Sequence, residues 1–153
     1  PQTISINSLK DGKYRVFGAN GYIGYHNEFN HKTEQIAISC RGENSGDVNY
    51  IEPFSWITGN SMVINVDKNS SINKKYLYYM LSSQNLKYLV TGSGQPQIVR
   101  RDISTHKVLH PHIEEQQKIA NFLSTFDNKI EKEKEKLEQF KELKKGLLQK
   151  MFI

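Results

Sequence analysis

Apolar residues late in the chain fall at helical spacing with nothing apolar to face them. Ile119, Leu123, Phe126 and Ile130 step by four, three and four, and Leu137, Phe140, Leu147 and Met151 resume the same stripe. Glu and Lys fill the positions between. That is one apolar seam on a solvated helix, the pattern of a coiled-coil strand. Two polar residues interrupt it: Glu133 and Lys144 occupy positions where the heptad continued from Ile119 expects a core side chain. From Ile113 to Met151 such a helix reaches about 58 Å at 1.5 Å per residue. A body of about 110 residues cannot bury that length, so the seam calls for a partner helix.

The pattern upstream is different. Lys13–Phe17 alternates with period two, and Gly18-Ala19-Asn20-Gly21 follows with turn chemistry before Tyr22-Ile23-Gly24-Tyr25. Gln35–Cys40 is a nearly continuous apolar run of strand length, and Ser61–Val66 predicts a further strand. Between them, Arg41–Gly46 is a polar loop bracketed by glycines. Asn73 caps a predicted helix from Lys74 to Val90, with Leu77, Met80, Leu81 and Leu89 on one face. Thr91–Pro96 breaks it, and Ile98–Leu109 is mixed and basic. Pro111 sets an extended lead into the long helix, whose first turn carries Glu114 and Glu115 as the helix dipole prefers. The expected architecture is α+β: a small mixed strand and helix domain over residues 1–109, then one long helix over residues 110–153.

Charge sharpens this division. The chain of 153 residues has a net charge of +5; residues 1–112 hold 12 Lys/Arg against 8 Asp/Glu, and residues 113–153 hold 9 against 8. The excess on the body suits a polyanion. No apolar run approaches the ~20 residues needed to span a bilayer, and the lone Cys40 excludes an internal disulfide and fits a reducing, cytoplasmic setting. The chain starts at Pro1, which suggests a cut or processed N-terminus.

Catalytic chemistry finds no footing. His106, His110 and His112 are close in sequence, but Pro111 divides them and no cysteine joins them. Cys40 ends a predicted buried strand, where cysteine serves as a small hydrophobe. There is no Gly-x-Ser-x-Gly elbow, no phosphate-binding glycine motif and no carboxylate cluster outside the coil. No cofactor or metal is expected. Nucleic-acid contact is the remaining signal. Tyr14, Asn20, Tyr22, Tyr25, His26, Arg41, Asn44, Ser45, Gln95, Gln97, Arg100 and Arg101 are residue types that read base edges or hold phosphates. The competing reading is that Asn, Gly and Tyr here only make turns and edges, in an interaction module dimerised by its coil.

Three stretches carry a resemblance. Tyr14-Arg15-Val16-Phe17-Gly18-Ala19-Asn20-Gly21-Tyr22-Ile23-Gly24-Tyr25, Gly92-Ser93-Gly94-Gln95-Pro96-Gln97 and Ile113-Glu114-Glu115-Gln116-Gln117-Lys118-Ile119-Ala120 resemble the specificity subunits of type I restriction-modification systems. The third is similar to that family's Leu-x-Glu-Gln-x-x-Ile-Ala motif. The resemblance implies a non-catalytic reader of double-stranded DNA, docked to modification subunits and through them to restriction subunits. In that family two recognition domains each read half of a bipartite site, and two long helices pair antiparallel as a spacer. This chain departs from the pattern in having one domain and one helix, so two copies are expected to pair through Ile119, Leu123, Phe126, Ile130, Leu137, Phe140, Leu147 and Met151. The resemblance implies a strand and a Gly-rich turn before the position of Pro1, so a cut N-terminus is expected, and His110 and His112 stand where the family commonly has Pro.

Overall fold

A computed structural model describes Ile4, Leu9, residues 12–92 and residues 94–152. Pro1 and Ser93 lie outside the described residues. Among the described residues six strands and three α-helices follow in order: β1 Tyr14–Phe17, β2 Tyr22–His26, β3 Gln35–Ser39, β4 Val48–Ile51, β5 Trp56–Ile57, β6 Ser61–Ile64, α1 Lys74–Ser82, α2 Arg100–Ser104 and α3 Ile113–Met151. The α+β expectation holds.

The strands form two three-stranded sheets. In the first, β1 pairs antiparallel with β2 and parallel with β5; in the second, β3 lies antiparallel between β4 and β6. Every residue of β3 is buried, which explains its continuous apolar run. Ala37 packs with Phe17, Ile51 and Ile57 in the core between the sheets. Its neighbours take the other face: Ile36 packs against Leu77 and Leu81 of α1, and Ile38 against Leu86 and Ile98. The β1–β2 hairpin closes with Gly18 N donating to Gly21 O at 2.8 Å. Gly12 lies so close to the hairpin that an added Cβ would fall 2.3 Å from the His26 carbonyl carbon, so no larger residue fits there.

The predicted helix over 74–90 is shorter than its periodicity suggests. Asn73 does cap it, accepting from Tyr76 N, but α1 stops at Ser82 and a separate 3-10 turn runs from Leu86 to Leu89. Polar side chains take over the backbone at the break. Ser83 Oγ donates to Met80 O at 2.8 Å, and Asn85 Oδ1 accepts from Lys87 N at 3.1 Å. The break turns Leu86 and Leu89 into a different cluster from Leu77 and Leu81.

The long helix α3, 39 residues, begins at Ile113 and ends at Met151 as the seam predicts. Among the described residues it meets the body along its N-terminal part, from Gln116 to Asp127. Gln116 and Ala120 are its buried residues. Gln116 Oε1 accepts from Asn73 N at 2.9 Å, while its Nε2 donates to Ser71 O at 3.0 Å and Pro111 O at 2.8 Å. The first of these bonds satisfies the backbone N–H of the α1 cap. In a capping box that task falls to a Glu or Gln three residues into the same helix; here it comes from another helix. Asn73 Nδ2 also donates to Gln117 Oε1 at 2.6 Å. Further along, Tyr79 donates to Asp127 and lies 3.0 Å from Ser124 Oγ. Burial first, and then the Asp127 bond, push the Tyr79 hydroxyl up to about 12, so it remains a donor. These contacts advance together along both helices, so α1 and α3 run in the same direction. Beyond Asp127 the helix leaves the body as a rod.

A second tie secures the start of α1. Lys74 pairs with Asp67, which also accepts from Thr33 Oγ1 at 2.9 Å and Gln35 Nε2 at 3.0 Å. The Lys74 hydrogen bond chiefly, helped by those from Gln35 and Thr33, holds the Asp67 carboxyl below the usual carboxylate range against the opposing effect of desolvation. A depressed folded value means that this stabilisation is complete above the unfolded carboxylate value and vanishes as pH falls through the lower folded one. Asp67→Asn is therefore expected to lower Tm at neutral pH, with the two melting temperatures converging in strong acid. Gln116→Ala strands the Asn73 N–H and the Ser71 carbonyl, and is expected to cost about 2–3 kcal/mol in urea unfolding. A loss below about 0.5 kcal/mol would mean that these groups find other partners.

Candidate nucleic-acid interface

Ser39 to Asp47 begins where the buried strand β3 ends, and this segment organises one end of the body. Gly46 N donates to Ser39 O and Ser39 N to Asp47 O, both at 2.9 Å, which closes the loop on itself. The second loop, Thr91–Gln97, is closed by the reciprocal bonds between Thr91 and Gln97 at 2.8 and 2.9 Å. The two loops are then joined. Gly42 N donates to Pro96 O at 2.9 Å, Ile98 N donates to Cys40 O at 3.0 Å, and Arg41 bridges Gln97 through the backbone. Gly46, at φ +97°, approaches the 3-10 turn so closely that a Cβ would meet Leu86 C and Lys87 N at 3.3 Å.

The predicted site residues divide on this frame. Arg41, Asn44, Gln95 and Gln97 are exposed on the two joined loops, and Arg100 and Arg101, also exposed, open α2 just beyond the second loop. They carry three cationic groups and three amides, with Arg101 lying 3.3 Å from its neighbour Asp102. Ser45 sits among them in sequence but is buried. Its hydroxyl lies 2.8 Å from Gly42 O and 3.1 Å from Pro96 O, so it clamps the two loops together. Asn20 is likewise occupied. Its amide donates to Asp47 Oδ2 at 3.1 Å, and its Oδ1 accepts from Asn49 at 2.9 Å and Ser39 Oγ at 3.2 Å. It ties the hairpin turn to the loop.

Tyr14 and His26 pair across the hairpin at its far end. Tyr14 stands edge-on to Phe29 at 4.9 Å. The His26 ring lies tilted against Trp56 at 5.1 Å, and its Nδ1 accepts from Glu28 N at 3.1 Å. Both are engaged in local packing and do not join the loop cluster. Tyr22 and Tyr25 are exposed beside Arg15, whose guanidinium lies 5.0 Å from the Tyr22 ring and 3.1 Å from Glu52.

An open cleft of about 340 Å³ between the hairpin turn and the 3-10 turn is lined by Asn20, Asp47, Asn49, Gln84, Asn85 and Lys87, among others. The sequence reading passed over Asn85 and Lys87 because it placed them inside a helix. The run Ser82-Ser83-Gln84-Asn85, rich in residues that compete for backbone bonds, was the signal that could have exposed them. Burial raises the Cys40 thiol, with Arg41 opposing weakly, and its Sγ donates to Asn60 O at 3.2 Å. That fits a packed cysteine rather than a nucleophile. His106 lies 2.7 Å from the Tyr88 hydroxyl, and among the described residues no group of three or more His, Cys, Asp or Glu could hold a metal. No helix among them is long and apolar enough to cross a membrane.

Comparison with known proteins places this arrangement. Residues 3–142 match the family described as "Type I restriction modification DNA specificity domain". The chain is 32% identical over 131 residues to the type I restriction enzyme EcoprrI specificity subunit of Escherichia coli, covering 82% of this chain and 32% of that protein. It is 32% identical over 119 residues to the MjaVIII specificity subunit of Methanocaldococcus jannaschii, covering 76% and 28%. The chain thus spans about a third of the length of these relatives. A crystal structure of the type I restriction-modification system S subunit from M. genitalium shares the fold at a TM-score of 0.71 and 22% identity, over 85% of this chain and 36% of that one. With its two sheets, its joined loops and its Gln116-anchored helix, the chain belongs to the type I restriction-modification DNA specificity domain family.

Proposed function

We propose that this chain is a sequence-specific reader of double-stranded DNA, a single target recognition domain followed by its own spacer helix. Residues 1–109 form the recognition body and residues 110–153 the spacer. The observation that supports this reading is the joining of two loops that expose Arg41, Asn44, Gln95 and Gln97, with Arg100 and Arg101 exposed just beyond them, in a specificity-subunit fold. Arginine can bind guanine bidentately, and an exposed glutamine or asparagine can do the same for adenine in the major groove. Ser45 and Asn20 support the reader by fixing its loops. Tyr14, Tyr22, Tyr25 and His26 lie outside the cluster, and the Tyr22 hydroxyl accepts from Glu52 N at 3.3 Å.

In this reading the chain is non-catalytic and acts in the cytoplasm. Methylation and cleavage belong to modification subunits and to the restriction subunits they bring. Two copies join through the free part of the seam, giving a two-fold assembly that reads a two-fold, interrupted site. Phe126, Ile130, Leu137, Phe140, Leu147 and Met151 support this role because each is at least half exposed on the rod. Ile119 and Leu123 are half-buried where α3 leaves the body, so they contribute less.

DNA binding tests the reading through its salt dependence. Affinity for a selected duplex is expected to fall steeply as salt rises, as counterion release requires; no measurable binding at low salt would leave only a protein-interaction module. Arg41→Ala is expected to cost ~1–3 kcal/mol and relax one position of the selected site. Equal weakening on every sequence would make Arg41 a phosphate contact. For the seam, Leu137→Asp or Phe140→Asp is expected to abolish self-association in light scattering while circular dichroism shows a folded body. Unfolding of the whole chain would instead make the rod part of the core.

A further inference from the structure

The two residues that spoil the seam are opposite in charge, and this fixes how a second copy can lie on it. In the heptad running through the rod, Phe126, Glu133, Phe140 and Leu147 occupy one core position, and Ile130, Leu137, Lys144 and Met151 the other. A parallel pair layers each position on itself, so Glu133 would face Glu133 and Lys144 would face Lys144 inside the core. An antiparallel pair layers one position on the other. Among its heptad-spaced registers, one brings Glu133 of each copy against Lys144 of the second.

That register also completes the remaining layers. Phe126 meets Met151, Ile130 meets Leu147, and Leu137 meets Phe140, with the two-fold axis passing between Leu137 and Phe140. Shifting by one heptad one way puts Lys144 on Phe126 and Glu133 on Leu137; shifting the other way puts Glu133 on Met151 and Lys144 on Phe140. Each leaves both charges against apolar partners. The rod as it stands is ready for the matched register. The apolar members of these layers are solvent-exposed, from 50% at Phe126 to 71% at Met151. Glu133 holds Lys136 at 2.8 Å on the helix surface and is still more than half exposed. The flanking lysines Lys134 and Lys141 are paired within the helix, with Glu131 at 3.6 Å and Glu138 at 2.6 Å, which limits their repulsion across the dimer.

We propose that two copies of this chain pair antiparallel in a single register, selected by reciprocal Glu133–Lys144 pairs on either side of the axis. The proposal rests on the homodimer reading above, whose antiparallel sense is the one the family resemblance implies, and adds its register and the residues that select it. It has a geometric consequence. Gln116 lies about 34 Å from the axis at 1.5 Å per residue, so the two anchoring glutamines stand about 68 Å apart along the coil.

Charge exchange tests it on the full 153-residue chain by sedimentation equilibrium, with circular dichroism confirming the helix in each variant. Wild type is expected to dimerise. Glu133→Lys and Lys144→Glu should each weaken homodimerisation by about 100-fold or more, because each places like charges in two core layers. The double variant E133K/K144E should recover wild-type affinity, and an equimolar mixture of the two single variants should form a heterodimer. Single variants that dimerise like wild type, or a double variant that fails to recover, would overturn the register while leaving the homodimer standing. A monomeric wild type at high micromolar concentration would overturn the homodimer reading itself.

Discussion

The hydrogen bonds of one buried glutamine hold this molecule's two parts together. Gln116 satisfies the free N–H at the start of α1 and the Ser71 and Pro111 carbonyls, and its amide has no bond to spare for solvent. Because it acts on the first turn of α1, it fixes the long helix relative to the sheet that α1 covers. Ala120, one turn later, has a side chain small enough to let the two helices approach. The direction of the rod follows from these few contacts and from Tyr79 on Ser124 and Asp127. Asn73 on Gln117 and the Lys75–Asp127 pair at 3.8 Å add to the same set.

The same geometry links the anchor with the loops of the proposed reading surface. α1 runs from the Gln116 anchor at one end of the body to the loops at the other, with Gln84 just past its end lining the cleft beside Asn20 and Asp47. Since α3 runs parallel to α1, the rod departs past the end where Arg41, Gln95 and Gln97 are displayed. A change at Gln116 would therefore alter the direction of the rod relative to the loops. The loops themselves are held by backbone bonds and by the buried Ser45 hydroxyl, which leaves the exposed side chains of Arg41, Asn44 and Gln95 free of structural duty.

Long periodic features were legible in the sequence, and short ones were not. The seam gave α3 its observed bounds, and β3 was recognisable because burial on both faces demands an apolar run. β5 is two residues long, and β4 reads Val-Asn-Tyr-Ile, too short and mixed to show a period. The helix over 74–90 was overextended because its apolar spacing continues through Leu86 and Leu89, while the break depends on Ser83 and Asn85 competing for backbone groups. The candidate site was legible as residue types but not as a place. Nothing local distinguishes Ser45, which turns inward, from Asn44, which stays exposed, because that depends on Pro96, distant in sequence. The motif around Gln116 was recognisable by resemblance, and its physical meaning needed the partner Asn73.

The central claim is that this chain alone defines a two-fold DNA specificity. Its most direct test is the methylation motif on host DNA when the chain is co-expressed with modification subunits from its own source. The account predicts a new, two-fold symmetric, interrupted motif that disappears when Arg41 and Arg100 are replaced by Ala. Unchanged methylation, with the chain failing to co-purify with those subunits, would contradict it.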